Sequence, residues 1–459
     1  MKAAFRSGRL VSVWLAGAAV LAGQSGSGAG APGQFSGPNV LSRFSRLPGG
    51  GVSAPTKLRP HLIASYGYLD GLNGPVTIAN GQAVRQAGAE ASHNLMLGGG
   101  ISLNHVDKRS ATTLGYLVNH TSAYASSSGY DGFNQDLNLN YERQVSRRWG
   151  FYTGHTMGIQ SNILGVSRAN SQSNLFDQAY SAANEALDAR LRFFNSGAGF
   201  YFQKSSRLVI SGDGGGFAVS RASTALVSSR GERAQAEVAY RTSRSQSIGA
   251  IYSFSHFYFL RSFGESYVHS AMLSYTRRLN RHWHWTFSGG PYISQSERLR
   301  TVQVDPFIAN LTGNPTTVVV FKGTNRGVGI STSLNGTYHS HTMFGSYRRA
   351  IDPGNGVTLT SLSNFANFNY GYQTTRSLSL GFSLFAGGLT PQLAGPERNA
   401  DFQSHGGNFT MTYRLMPSLY ATSNIGVHRV AYTDLVFKQL RKVATIGIAF
   451  SPGDLPLRR

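Results

Sequence analysis

Arg190, Arg192, Arg233, Arg241 and Arg414 sit on the polar phase of stretches in which apolar residues alternate with polar ones, and Glu142, Asp188 and Glu237 share that phase. Successive side chains of an extended strand leave on opposite faces. These charges are therefore expected on a face separate from the apolar one. Guanidinium groups lining a narrow aqueous space act through little screening water and favour anions. Matched by the carboxylates, the same groups make an internal ion-pair lattice that specifies no solute.

Other constellations carry less. His282 with His284, and His339 with His341, are spaced so that one strand face could offer both rings to a metal ion. No carboxylate stands at ligand spacing beside them, and neither a metal nor a cofactor is expected. Gly98-Gly99-Gly100 and Gly212-Asp213-Gly214-Gly215-Gly216 lack the order of glycines, the following helix and the lysine of a phosphate cradle, so they read as bends or loop apices. No Gly-x-Ser-x-Gly elbow is present, and the chain has no cysteine to supply a thiolate or a disulfide. The chain is read as a non-enzyme.

The elements that must position the arginines are strands. Leu137, Leu139, Tyr141 and Val145 oppose Asn138, Asn140, Glu142 and Gln144, with Arg143 as the exception. Leu187, Ala189, Leu191 and Phe193 oppose Asp188, Arg190 and Arg192, and Ala234, Ala236, Val238 and Tyr240 oppose Arg233, Gln235, Glu237 and Arg241. The alternation recurs at Trp283 to Phe287, Val328 to Leu334, Leu378 to Leu384 and Phe409 to Leu415, and Phe385 falls on a polar phase. Each apolar face is expected to meet an apolar medium.

Connections come in two lengths. Tight links are expected at Asp107 to Arg109, Ser146 to Arg148, Lys204 to Ser206, Ser243 to Gln246, Leu279 to Arg281, Tyr338 to Ser340, Thr374 to Arg376 and Leu415 to Pro417. Longer polar segments lie between them: Asn162 to Asn184, Ala222 to Glu232, Leu299 to Gly323, Ile351 to Ser363 and Gly388 to Asp401. Short turns at one end and long loops at the other characterise a transmembrane barrel, and in hydrocarbon a sheet must close to leave no unpaired edge. The expected fold is all-β: a closed antiparallel transmembrane β-barrel of about 18 strands, with 16 as the alternative, short periplasmic turns and long extracellular loops. Trp149, Phe151, Tyr152, Tyr240, Phe254, Tyr258, Tyr275, Trp283 and Tyr413 are expected to form its interfacial girdles.

At the N-terminus, Lys2, Arg6 and Arg9 precede an apolar stretch from Leu10 to Ala22, the pattern of a secretory signal with cleavage after Ala22 or Ala31. The expected organisation is a signal over residues 1–31, a flexible periplasmic segment over 32–60, a barrel over 61–450 and an extension over 451–459. Formal charge is +22, and removing the three signal cations leaves +19. Such a surplus attracts phosphorylated lipid headgroups or anionic solutes, and no nucleic-acid-binding motif accompanies it.

In the last strand Ala444, Ile446, Ile448 and Phe450 alternate with Val443, Thr445, Gly447 and Ala449. This resembles the C-terminal assembly signal of bacterial outer-membrane proteins, although here the chain continues from Ser451 to Arg459. The stretch 61–450 looks porin-like in its rhythm of turns and loops. The resemblance implies an integral bacterial outer-membrane protein, inserted by the barrel-assembly machinery through the strand ending at Phe450 and surrounded by lipid and lipopolysaccharide. The function it implies is passive passage of small hydrophilic solutes, anionic ones among them, with Leu299 to Gly323 as the loop expected to fold inward. The alternative is a structural or adhesive barrel with a blocked lumen and ligand-binding surface loops. Oligomeric state is left open.

Overall fold

Small, aromatic and β-branched residues at alternating positions favour extended chain over helix, and the turn residues between them reverse its direction. A computed structural model describes residues 54–70, 92–124, 132–160, 191–222, 226–260, 264–305, 315–356, 359–392, 401–432 and 437–452, with a few short pieces between. The barrel strands are β1 (Ala54–Asp70), β2 (Ser92–Val106), β3 (Ser110–Tyr124), β4 (Gly132–Gln144), β5 (Trp149–Gln160), β6 (Leu191–Gln203), β7 (Leu208–Arg221), β8 (Ser228–Arg241) and β9 (Gln246–Leu260). They continue as β10 (Gly264–Arg278), β11 (Trp283–Gln303), β12 (Thr316–Tyr338), β13 (His341–Asp352), β14 (Ser361–Gln373), β15 (Leu378–Pro391), β16 (Phe402–Met416), β17 (Leu419–Tyr432) and β18 (Phe437–Phe450).

Each strand pairs antiparallel with its sequence neighbours, and β1 pairs with both β2 and β18, so the wall is closed. A two-residue addition, Leu455–Pro456, pairs with Leu58 and Lys57 and makes up the nineteenth member of the sheet. The spanning strands number 18, as expected from the turns. The opening strand begins at Ala54, inside the segment expected to be flexible. The signal segment lies outside the described residues. A strand of about 14 residues rising ~3.4 Å each and tilted near ~40° crosses roughly 35 Å, enough for a hydrocarbon band ~25 Å tall.

All the expected tight links are turns, and four of them share a local device. Ser146 Oγ accepts from the backbone N–H groups of Arg148 (3.2 Å) and Trp149 (3.1 Å). Ser205 does the same for Arg207 and Leu208, Asn280 for His282 and Trp283, and Thr375 for Ser377 and Leu378. A short polar side chain at the first turn position satisfies the N–H groups that the reversal frees.

The outward face is apolar: Leu273 is 72% exposed, Ile446 64% and Ile425 60%. Inward faces carry Ser, Thr, Asn and Gly, among them Asn119, Thr121, Asn134, Ser274, Thr276, Ser294 and Asn424, all buried. The phases assigned to Leu137–Val145, Ala234–Arg241, Phe409–Leu415 and Ala444–Phe450 hold. Phe385 does turn inward, to 6% exposure against Phe365 and His428.

The expected phase at Leu187–Phe193 is reversed over its described part. Leu191 and Phe193 are buried inside, at 2% and 4% exposure, while Arg192 is exposed on the outer wall opposite Ile159 in register. The physical reason is an apolar cluster inside the barrel, into which Leu191 and Phe193 pack with Phe217, Val219, Phe257, Phe259 and Tyr292. Alternation marks a dry face without saying whether lipid or neighbouring side chains keep it dry. Leu299 to Gly323 is expected to fold inward, but its described flanks stay in the wall: β11 and β12 continue pairing through Arg298↔Phe321 to Gln303↔Thr316. Their extension exposes Leu299 and Val320, at 46% and 49%.

Candidate functional site

Between β13 and β14, the described residues 353–356 and 359–360 enter the lumen. Pairing between β12 and β13 stops at Ile330↔Arg349, whereas β13 and β14 stay paired to Asp352↔Ser361. The tip of this hairpin thus parts from the wall on its β12 side. Ile351 and Leu362, register partners on its outward phase, join the internal apolar cluster that contains Tyr292 and Phe257. Burial of this patch removes aromatic surface from water at roughly 25 cal/mol per Å², which holds the tip down.

Adjacent residues of the connection bond to far-apart parts of the ring. Asn355 Nδ2 donates to the Tyr432 hydroxyl of β17 (2.7 Å), and the Gly356 carbonyl accepts from Val227 N, at the entry to β8 (3.0 Å). In a ring of 18, β8 and β17 face each other, so the chain here bridges the lumen. Thr360 is hydrogen-bonded to Ser266 of β10, which in turn donates to Ser296 of β11 (2.8 Å). Asp352-Pro353-Gly354-Asn355-Gly356 makes the course sterically feasible: Gly354 and Gly356 have φ of 77° and 89°, where L side chains are strained. A Cβ on Gly356 would stand 2.8 Å from Arg221 Nε.

Charge surrounds this bridge in both signs. Arg221, 5% exposed, donates from Nη1 to the Val227 carbonyl (2.7 Å). Arg348 forms a two-pronged pair with Asp352 (3.0 and 2.8 Å), the geometry that fixes a guanidinium plane. Arg233 donates to Ser255 Oγ (3.1 Å) and lies within electrostatic reach of Arg348, Asp352 and Asp213. On the opposite wall Arg441, 1% exposed, donates to Gln439 (2.8 Å) and stands in register beside His428, which bonds Ser404 (2.9 Å).

Of the charges expected inside, Arg233, Glu237 and Arg241 lie on the inward phase of β8, and Glu237 is 3% exposed. Glu142 and Arg414 are also on inward phases, exposed near the turn end of β4 and β16. These do not converge with Arg233. Arg192 faces outward, and Asp188 and Arg190 lie outside the described residues. Reasoning from alternation missed Arg221, Arg348, Asp352, Asp213 and Arg441. The spacing of Arg348 and Asp352, four apart on one strand phase just before Pro-Gly-Asn-Gly, was the available signal.

Most of the surplus charge sits elsewhere. Lys108, Arg109, Arg147, Arg148, Lys204, Arg207, Arg244, Arg277, Arg278, Arg281 and Arg376 are in or beside the short turns, with Asp107 and Glu142 as the acidic residues there among those described. They form a basic collar at the turn end. The aromatic residues expected in girdles are outward, except Tyr152, whose ring lies inside against Gly199. Trp149, Tyr240 and Tyr413 stand directly above the collar, with Arg207 Nη1 3.5 Å from the Tyr240 hydroxyl. Neither histidine pair joins a metal-binding group among the described residues.

Fold and site together define a transmembrane β-barrel whose polar lumen is crossed, among the described residues, by the connection that follows β13. Solved barrels of similar shape include Pseudomonas aeruginosa OccK9 (OpdG), 12% identical at a TM-score of 0.41 over 86% of this chain and 98% of that one. Pseudomonas aeruginosa OpdQ is 11% identical at 0.39, over 88% and 98%. OccK2 (OpdF) of the same organism, solved in complex with glucuronate, is 12% identical at 0.39, over 86% and 98%. No family model and no curated protein matches the chain.

Proposed function

We propose that the chain is a porin-type channel of a bacterial outer membrane, passing small hydrophilic solutes passively and favouring anions. The observation that carries this is the closed 18-stranded wall, apolar outside and Ser/Thr/Asn/Gly-lined inside, narrowed by the connection at Asn355 and Gly356. Barrels of 16–18 strands are wide enough to leave an aqueous channel. Size selection falls to the bridge between Tyr432 and Val227, and charge selection to Arg221, Arg233 and Arg348 around it. Asp213, Asp352 and Glu237 offset part of that charge, so the anion preference is modest. The barrel-assembly machinery, acting through the strand that ends at Phe450, and lipopolysaccharide about the loop end complete this reading.

Planar-bilayer recordings under a tenfold KCl gradient test it. Wild type should conduct with an anion-side reversal potential. Changing Arg233 and Arg348 to Gln should move that potential toward cations, because both face the lumen and Gln retains much of their bulk. Arg192→Gln, on the outer wall, should leave it in place. A conducting but cation-selective wild type rejects the charge assignment. No conductance from a properly folded barrel favours a structural or adhesive barrel, a reading to which the lumen bridge itself lends support.

A further inference from the structure

A crevice of about 330 Å³ opens on the outer wall near the turn end, lined by Trp283, Gly336, Tyr338, His341, Met343 and Tyr370. Its origin lies in register. Trp283, Gly336, Met343 and Tyr370 face one another across β11, β12, β13 and β14, and one step toward the turns Tyr338 faces His341. Gly336 leaves a gap in that row of large side chains. The Trp283 ring lies so close over it that an added Cβ would meet Cε3 at 2.5 Å. His341 is held in place by the Tyr370 hydroxyl (2.8 Å) and by stacking on Tyr372 (rings 4.5 Å apart, 7° between planes).

Tyr338 is 52% exposed on the outward phase, as are Trp149, Tyr240 and Tyr413 at the same end. The crevice therefore faces the membrane interface and not the lumen. At roughly 30 Å³ per water, it would take about ten water molecules. An aromatic lining gives most of them no hydrogen-bond partner. A flexible hydrocarbon chain fills such a slot and recovers the dispersion contacts that a void forfeits. The turns on either side carry Arg281, two residues before Trp283, and Arg376, four residues after Tyr372. They belong to the basic collar, in which acidic residues are few, so the headgroup that matches this site is an anionic one.

We propose that this crevice binds an anionic phospholipid of the periplasmic leaflet. One acyl chain lies against Trp283, Gly336 and Met343, and the phosphate rests between Arg281 and Arg376. The assignment rests on the membrane placement given above and takes the short turns as periplasmic.

The test uses the folded, purified barrel in detergent and native mass spectrometry, with phosphatidylglycerol and phosphatidylcholine of identical chains as probes. Wild type should retain one phosphatidylglycerol at least fivefold more than phosphatidylcholine. Arg281→Gln with Arg376→Gln should lower that retention at least fivefold. Arg147→Gln with Arg148→Gln, elsewhere on the collar, should leave it within twofold. Met343→Trp, which fills the slot, should lower retention of both lipids. Equal retention of the two lipids by wild type, no loss in the Arg281/Arg376 variant, or equal loss in the Arg147/Arg148 control overturns the assignment. Undiminished retention by folded Met343→Trp overturns it too, and the turn variants decide alone if Met343→Trp does not fold. Failure of wild type to insert into vesicles at all would instead strike the membrane placement.

Discussion

Arginine at Leu273 or at Ile446 is expected to remove most of the folded barrel, whereas arginine at Asn138 leaves most of it. Leu273 and Ile446 are 72% and 64% exposed on the outer wall, well inside β10 and β18. A charge there meets hydrocarbon at a cost of about 2–4 kcal/mol near the midplane. Since ~1.4 kcal/mol is tenfold in an equilibrium constant, the ratio of folded to unfolded barrel should fall by a factor of roughly 30 to 700. Asn138 lies on the inward phase of β4, half-exposed, and gives up a hydrogen bond from Asn140 Nδ2 (2.6 Å). That bond is worth about 0.5–1.5 kcal/mol, and the new guanidinium faces a polar wall. Heat-modifiable gel mobility after refolding into vesicles reads the difference. Thr445 is a poor inward comparator because it is buried at 8% exposure, and arginine there would fail on volume alone. Equal loss at Ile446 and Asn138 would mean that the two faces of the wall are misassigned.

Those faces were legible in the sequence wherever one side of a strand meets lipid. Ala444 to Phe450, Phe409 to Leu415 and Ala234 to Tyr240 all keep their expected direction, because hydrocarbon tolerates no polar residue at alternate positions and the pattern must be strict. The turns were legible for a separate reason: Ser146, Ser205, Asn280 and Thr375 cap the reversal through their own side chains, so local chemistry sets the position. What alternation could not supply was the interior. Leu191 and Phe193 are apolar because they pack under a chain segment, and nothing in their own neighbourhood distinguishes that from facing lipid. The bridge was hidden in the same way. Leu299 to Gly323 is long and apolar, but long strands that simply keep pairing explain it, whereas the short Asp352-Pro353-Gly354-Asn355-Gly356 run holds residues that reach across the lumen. Contacts between Asn355 and Tyr432, 77 positions apart, follow from closure of the ring, which one strand's sequence does not encode.

Releasing that bridge should open the lumen. Gly356→Val places a β-branched residue at φ 89° and drives its Cβ to within 2.8 Å of Arg221 Nε. Backbone strain of this kind costs about 1–3 kcal/mol. Displacing Arg221 adds the loss of its bond to the Val227 carbonyl and of the bond from Val227 N to Gly356, about 0.5–1.5 kcal/mol each. Combined with Asn355→Ala, which removes the tether to Tyr432, the change is large enough to invert a loop equilibrium of a few kcal/mol. The wall itself should persist, because ladder pairing between β13 and β14 ends at Asp352↔Ser361, short of the two substituted positions. The expected result is a heat-modifiable barrel with wild-type mobility and a single-channel conductance raised at least twofold. Reversal potential separates two ways of gaining current. If the bridge blocks the path sterically, conductance rises while selectivity stays on the anion side, since Arg233 and Arg348 are untouched. If the bridge acts by holding Arg221 in the path, the anion preference should shrink as conductance rises, and Arg221→Gln alone should reproduce that shrinkage. Unchanged conductance and unchanged selectivity in a variant whose loop has demonstrably moved, as shown by protease cleavage between Asp352 and Thr360, would remove residues 353–360 from the conduction path.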